Sequence, residues 1–201
     1  MEVATLWGEL MGRFWLRWGA GIDVIIEGKE NIPDGPYVIL ANHQSEWETL
    51  FLPRLLRPAT IVLKKSLTKI PVYGWTLSLS HPIAIDRTSP KESIRQILAQ
   101  GVDRIAEGCN ILLFAESTRV APGSIRKYTR TGSKLAIQAG VPILPIVHNS
   151  GDCWSPKRWF RPGKIILRVG KPIDSAGKDP ALLTSEVEKW ARENYPGTLV
   201  D

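Results

Sequence analysis

Residues 37–49 read Tyr-Val-Ile-Leu-Ala-Asn-His-Gln-Ser-Glu-Trp-Glu-Thr, and the fold class follows from how this stretch divides. Tyr37 to Ala41 is a short apolar run with β-branched residues, the pattern of a strand. From Trp47 to Leu56 the apolar positions take helical spacing, so the polar residues between them form a strand-to-helix turn. The same division recurs along the chain. Strands are expected near Ile22 to Glu27, Thr60 to Lys64, Pro82 to Asp86, Asn110 to Phe114, Ile143 to Val147 and Lys164 to Val169. Helices fit Lys91 to Glu107 after the Ser89-Pro90 start signal, Gly132 to Ala139 before Gly140, and Pro180 to Glu193. Such alternation predicts an α/β fold: a single domain with a mostly parallel, mixed sheet of about seven strands flanked by helices.

Size and composition agree with one domain. The 201 residues are 43% hydrophobic, enough for one core, and no repeat, low-complexity tract or long linker divides them. Lysine and arginine number 26 against 20 acidic residues, giving a formal charge of +6. An anionic partner is therefore expected, whether a phosphorylated substrate, an anionic membrane or a nucleic acid. No nucleic-acid motif occurs, and the cations sit among acids and tryptophans, so nucleic acid is not expected as a partner. Cys109 and Cys153 lack metal-ligand or redox spacing, so neither a zinc site nor a disulfide framework is expected.

The longest charge-free stretches, Ile70 to Ile85 and Leu135 to Gly151, contain proline, glycine and polar residues and do not read as spanning helices. The apolar start is interrupted by Glu9, Arg13 and Arg17, unlike a signal peptide. Residues 1–20 instead read as an amphipathic helix. Val3, Trp7, Leu10, Phe14 and Trp18 recur at three- and four-residue steps, with Glu9, Arg13 and Arg17 on the other side. That pattern suits an interfacial anchor, and equally a helix packed on its own domain. Residues 21–201 form the globular remainder. Trp154 to Arg168 mixes Trp154, Trp159 and Phe160 with Lys157, Arg158, Arg161 and Lys164, a second composition suited to headgroup depth. The apolar Pro71 to Leu79 segment is a candidate acyl-chain lining or ordinary core.

In open α/β sheets, functional groups gather past the carboxyl ends of strands. Asn42-His43 follows one strand, Asp86-Arg87 another, and Glu116 to Arg119 a third. Glu48 comes after four intervening residues from His43, too far round for a straight helix. With His43 in the turn and Glu48 in the first helical turn, the carboxylate can reach back to the imidazole. It would then fix the ring's tautomer and leave the other nitrogen as a base able to take a proton from an alcohol. His148 ends an apolar strand and suits a structural hydrogen bond, while His81 precedes a proline and suits a turn. No Gly-x-Ser-x-Gly elbow is present. Arg87 and Arg119 are expected off neighbouring strand ends, where planar, permanently charged forks can grip a phosphate, with Lys64 and Lys65 adding positive field.

Taken in order, these segments resemble the four motif blocks of the bacterial 1-acylglycerol-3-phosphate acyltransferase family, and the likeness runs from about Ile22 to the C-terminal helix. His43 and Glu48 match the first block, Ile85, Asp86 and Arg87 the second. Phe114 to Arg119 resemble Phe-Pro-Glu-Gly-Thr-Arg, and Val141, Pro142 and Pro145 match an apolar Val-Pro-x-x-Pro. Two departures stand out. Glu48 replaces the usual aspartate and adds one methylene, about 1.5 Å of reach. Ala115 and Ser117 replace proline and glycine, and a glycine there suggests a positive φ or a close backbone approach to an anion.

The resemblance implies transfer of a fatty acyl group from acyl-CoA or acyl carrier protein to the sn-2 hydroxyl of 1-acylglycerol-3-phosphate. His43 would be the base and Glu48 its orienting acid. Arg87, Arg119 and Lys64 would favour the acceptor phosphate, Glu116 would orient Arg119 or the glycerol, and Ser117 and Thr118 would complete the acceptor loop. A thioester is already activated, so neither metal nor cofactor is expected. The implied partners are a lysophospholipid, an acyl thioester and the membrane surface, with the protein peripheral on the cytoplasmic face of the inner membrane. Two alternatives remain at this point: a lipid-binding module of the same fold with weakened chemistry, suggested by Ser117, and an acyltransferase for another lysolipid.

Overall fold

The computed structural model describes residues 15–65, 82–85, 89–154 and 160–199. Seven strands lie in one sheet: β1 (Ile22–Glu27), β2 (Val38–Ala41), β3 (Ala59–Lys64), β4 (Ile83–Ile85), β5 (Asn110–Phe114), β6 (Ile143–His148) and β7 (Gly163–Val169). Their spatial order is β1-β7-β6-β2-β5-β3-β4. β2 sits at the centre, parallel to β5 and β6, with Val38 opposite both Ile111 and Ile143. β7 alone pairs antiparallel, with β6, and carries β1 parallel to itself. The expected mixed, mostly parallel sheet is what forms.

Among the described residues, five α-helices cover the sheet: α1 (Trp47–Leu55), α2 (Pro90–Ala106), α3 (Thr131–Ala139), the short α4 (Ser150–Cys153) and α5 (Pro180–Glu193). Strand alternation divides the core between the two faces. Ile39 and Ala41 point to the face that holds Trp47, Leu52 and Leu56 of the α1 region. Val38 and Leu40 point to the other, against Ile97 and Ile105 of α2, Leu135 of α3, and Leu183 and Val187 of α5. A strand buried on both sides must be apolar at every position, which is why β2 shows no polar alternation.

The helix ends follow their local chemistry. Ser89 accepts a hydrogen bond from Glu92 N–H with Pro90 next in line, and Asp179 accepts from Ala181 and Leu182 N–H ahead of α5. α3 stops at Gly140, whose φ of 68° is the left-handed cap that glycine takes at least cost. Sequence patterning missed α4 and a 3-10 turn at Lys29–Asn31, because four- and three-residue elements carry no readable period.

The direction of the strands decides what meets at the catalytic end. β2, β3, β4, β5 and β6 share one direction, so their carboxyl ends gather along one edge of the sheet. β1 and β7 run the other way, so their starting residues come to that same edge. There Gly163 N–H donates to Gly21 O at 3.0 Å and Arg161 N–H to Cys153 O at 2.9 Å. A single π-helical turn at Trp15–Gly19 leads into β1, with Trp18 exposed, and Trp154 packs edge-on against Phe160 at 4.6 Å. Residues 1–14 of the expected amphipathic helix lie outside the described residues, as do Pro71 to Leu79, His81, Lys157, Arg158 and Trp159.

Asn110 pins the opposite end of this layout. Its Oδ1 accepts from Tyr37 N–H at 3.1 Å and its Nδ2 donates to Leu56 O at 2.8 Å, joining the start of β2, the end of α1 and the start of β5. Asn110→Ala removes both partners from a buried place and should destabilise the fold by about 2 kcal/mol, read as a lower urea midpoint with unchanged slope. An unchanged midpoint would remove Asn110 from this role.

Candidate active site

β2 ends at Ala41, and the chain turns through Asn42 to Glu46 before α1 begins. This turn brings His43 and Glu48 together. His43 Nδ1 lies 2.9 Å from Glu48 Oε1. The same oxygen accepts from the backbone N–H groups of Gln44 and Ser45, each at 2.7 Å. Glu48 Oε2 accepts from the hydroxyls of Ser45 and, at 2.8 Å, Ser150. The Glu48 side chain is wholly buried, while His43 retains 15% of its side-chain surface. Burial alone would raise the acid's pKa, but the hydrogen bonds from His43 and Ser45 outweigh it and hold Glu48 well below the usual carboxylate range. An ionised Glu48 can only accept, so the proton sits on Nδ1 of His43 and the Nε2 lone pair is free. The ring also stacks on Phe114 with centroids 3.9 Å apart and planes 8° from parallel.

A second turn, at the end of β6, grips the first. Asn42 and His148 form a reciprocal pair: Asn42 Nδ2 donates to His148 O at 2.8 Å, and His148 N–H donates to Asn42 Oδ1 at 3.0 Å. Nε2 of His148 lies 3.1 Å from Asn42 O, and burial lowers the pKa of this ring, keeping it neutral. His148 is thus the structural histidine its strand-end position suggested. Gln44 completes the grip, accepting from Gly151 N–H at 3.2 Å and donating to Tyr195 Oη at 2.9 Å.

Glu116, just past β5, turns to backbone N–H groups and not to Arg119. Its Oε2 accepts from His43 N–H and its Oε1 from Arg126 N–H, both at 2.9 Å. It anchors the backbone of the histidine rather than contacting Arg119. Burial pushes its pKa up to about 7, against the opposing pull of those N–H groups and of the Arg126 and Arg192 charges. Arg119 instead pairs with Glu46 at 2.6 Å, both side chains about two-fifths exposed. Val120 N–H donates to His43 O at 2.8 Å, so the Ser117-Thr118-Arg119 loop lies directly beside the histidine.

Ser117 has φ of 58°, and it alone among the described non-glycine residues has a positive value. The backbone therefore has the shape a glycine would allow, at a cost to serine of about 1–2 kcal/mol.

The remaining expectations divide. Lys64 closes β3, though its side chain lies outside the described residues, as does Arg87 entirely. β3 stands between β5 and β4, so the strands preceding Arg119 and Arg87 are not neighbours. Their ends are separated by two strand spacings, roughly 10 Å. Sequence reasoning also missed Ser45, Ser150, Glu46 and Phe114. Ser150 carries the signal of a polar residue just past an apolar strand, but nothing local points it at Glu48.

Two outcomes follow from this geometry. Ser117→Gly should leave stability within about 1 kcal/mol, since relief of the left-handed backbone is offset by glycine's entropy, whereas branched Ser117→Val should lose about 1–2 kcal/mol. Thermal melts of both variants check this. Glu116, raised from its ordinary 4.5 to about 7, favours the folded state fully below pH 4.5, an advantage lost as pH rises towards 7. Glu48, lowered to about 2, does the reverse, losing its contribution as pH falls from 4.5. Urea titrations across pH should show Glu116→Gln flattening the slope between about 4.5 and 7; an unaltered slope rejects the assignment.

Comparison with known proteins identifies the family of the chain. A family model described as Acyltransferase matches residues 23–149, well over half of the chain. The 1-acyl-sn-glycerol-3-phosphate acyltransferase of Pseudomonas aeruginosa is 42% identical over 184 residues, covering 89% of this chain and 72% of that protein. The protein of the same name from Saccharomyces cerevisiae is 34% identical over 161 residues, covering 77% of this chain and 53% of that one. Among solved structures, the 1-acyl-sn-glycerophosphate (LPA) acyltransferase PlsC of Thermotoga maritima superposes with a TM-score of 0.72 at 25% identity, over 87% of this chain and 73% of that one. The resemblance read from the four motif blocks is thereby confirmed. With a match that takes in both His43 and Glu48, this chain belongs to the acyltransferase family.

Proposed function

We propose that this protein transfers a fatty acyl group from an acyl thioester to the sn-2 hydroxyl of 1-acylglycerol-3-phosphate, giving phosphatidic acid for phospholipid biosynthesis. One observation carries the reading: a partly exposed imidazole bound through Nδ1 to a fully buried carboxylate, with Nε2 left as a base. Nε2 takes the hydroxyl proton as the hydroxyl oxygen attacks the thioester carbonyl. The tetrahedral intermediate expels the thiolate, which takes the proton back from Nε2. An ester and a free thiol result, and the ring returns to its starting state. Base catalysis of this kind supplies about 10²- to 10⁴-fold, and the rest falls to alignment and charge stabilisation.

Arg119, Arg87 and Lys64 serve the acceptor phosphate, with Ser117 and Thr118 shaping the loop beside it. An exposed ion pair such as Arg119 with Glu46 is worth at most about 1 kcal/mol, so a phosphate can displace Glu46 from the guanidinium. Glu116 contributes by holding the His43 backbone. The donor is acyl-CoA or acyl carrier protein. The rival reading, a lipid-binding module without chemistry, drew on Ser117 alone, and Ser117 takes the left-handed backbone that glycine would supply.

Both substrates carry long apolar chains, which favours peripheral binding at a membrane, assigned to the cytoplasmic face of the inner membrane. Trp18 is 72% exposed, and the Trp154 and Phe160 pair stands at the same end of the sheet as His43. No helix among the described residues is long and apolar enough to cross a bilayer. Residues 1–20 supply the amphipathic contact in this reading.

Purified full-length chain, mixed with 1-acylglycerol-3-phosphate in anionic vesicles and acyl-CoA or acylated carrier protein, should release thiol in step with phosphatidic acid. His43→Ala should cost at least about 100-fold while the circular dichroism spectrum stays native. Near-normal turnover in that variant would remove the histidine from the reaction. Arg119→Ala should raise KM for the acceptor about ten-fold and lose that effect with unphosphorylated monoacylglycerol. Equal losses on both acceptors would refute the phosphate assignment.

A further inference from the structure

We propose that Ser150, in the turn after β6, is a positioning residue for acyl transfer that acts through Glu48 without touching substrate. The inference rests on the reading of His43 as the base. Its starting point is the count of donors around a carboxylate that water cannot reach. Oε1 of Glu48 is occupied by His43, Gln44 and Ser45, all from the turn that leads into its own helix. Oε2 has only two donors, the hydroxyls of Ser45 and Ser150. Ser45 has a single proton and two acceptors in reach, because Ser150 Oγ also lies 2.9 Å away. Ser45 Oγ accepts from Trp47 N–H at 3.1 Å as well, so its lone pairs are partly committed to the start of α1. The Ser150 hydroxyl, 2.8 Å from Oε2, is the donor to that oxygen that comes from outside the turn of Glu48 itself, and the carboxylate is the strongest acceptor its proton has in reach.

Ser45, Glu48 and Ser150 are all inaccessible to solvent, so no water can replace a missing hydroxyl. Ser150 is itself rigidly placed. Its N–H lies 3.4 Å from Nδ1 of neutral His148, and the next residue, Gly151, donates to Gln44. A Cβ on Gly151 would come within 3.0 Å of Gln44 Cβ and 2.9 Å of Pro122 Cγ, so this turn is pressed against the His43 turn at backbone distance. The contact also gives a use for the departure at Glu48. An aspartate would withdraw the carboxylate by about 1.5 Å, out of hydrogen-bond range of Ser150. The extra methylene drives the acid deep enough to be held from β6 as well as from its own turn. Ser150 falls one residue beyond the part of the chain matched by the family model.

The experiment uses the full chain and two kinds of measurement. Ser150→Ala should lower kcat about ten-fold, with KM for donor and acceptor changed less than about two-fold, because Oε2 of Glu48 loses one of its two hydroxyl donors and its tie to β6. Ser150→Cys, which leaves no cavity and keeps only a weak donor, should lose a similar factor, so the loss does not come from a cavity. In a Glu48→Asp background, Ser150→Ala should cost less than about two-fold, since the shorter acid no longer reaches the hydroxyl. A loss of equal size in both backgrounds would mean a general structural role and overturn the proposal. Independently of turnover, nitrogen-15 spectra of the His43 ring should show a protonated Nδ1 and bare Nε2 in the parent, with the Nδ1 proton signal broadened in Ser150→Ala and Ser150→Cys. Ring signals and kcat both unchanged would overturn the proposal too. If the parent transfers no acyl group yet the ring signals respond to Ser150, the positioning role stands and the reaction assigned to the site falls.

Discussion

A carboxylate cut off from water survives only if the chain supplies its hydrogen-bond donors, and Glu48 imposes that demand on everything around it. Two donors come from the backbone of its own turn, which forces residues 42–46 to close back on α1. A third is the imidazole, and closing the turn leaves that ring no freedom about which nitrogen faces the acid. The hydroxyls complete the shell, one from the turn and one from the far side of β6. An imidazole so held, with Phe114 stacked on its face, does not need to be ordered again when a substrate arrives.

The two acids nearest His43 show how environment alone separates their behaviour. Glu48 has three kinds of donor and stays ionised throughout the range in which a histidine titrates. Glu116 has two backbone N–H groups against nearly complete burial, and burial wins. The first therefore works as a fixed charge that sets a tautomer. The second is held in good part protonated while it still accepts from the histidine's backbone, so it adds less repulsion than an ordinary carboxylate where an anionic acceptor would lie. Two carboxyls with opposite shifts beside one imidazole are the arrangement expected where acid, base and anchor must coexist in a small space.

Strand direction adds the other half of the layout. The reversal at β7 brings the entries to β1 and β7 to the edge that carries the catalytic turns, where α4 already ends. Exposed Trp18 and the Trp154 and Phe160 pair thus share an end of the sheet with His43. A fully parallel sheet would have sent Trp18 and Phe160, which lead into β1 and β7, to the opposite edge. Under the proposed reaction between two lipid substrates, that difference determines whether the base faces a bilayer or turns away from it.

What the sequence determined by itself is local. Asn110–Phe114 and Pro180–Glu193 could be placed to the residue because an apolar run or a capped, periodic face is set by neighbours within a few positions. The reach of Glu48 back to His43 spans one turn and was legible for the same reason. The left-handed backbone at Ser117 was one of two readings that the resemblance allowed, from its place where the family has glycine. Only the tertiary structure decided that β3 separates β5 from β4, that Glu116 holds a backbone rather than an arginine, that Glu46 is the partner of Arg119, and that Ser150 reaches Glu48. Those pairings cross 73 to 102 residues of chain. They depend on which apolar faces come to pack together, and many strand orders satisfy the same local periodicity, so no pattern along the chain could have selected them.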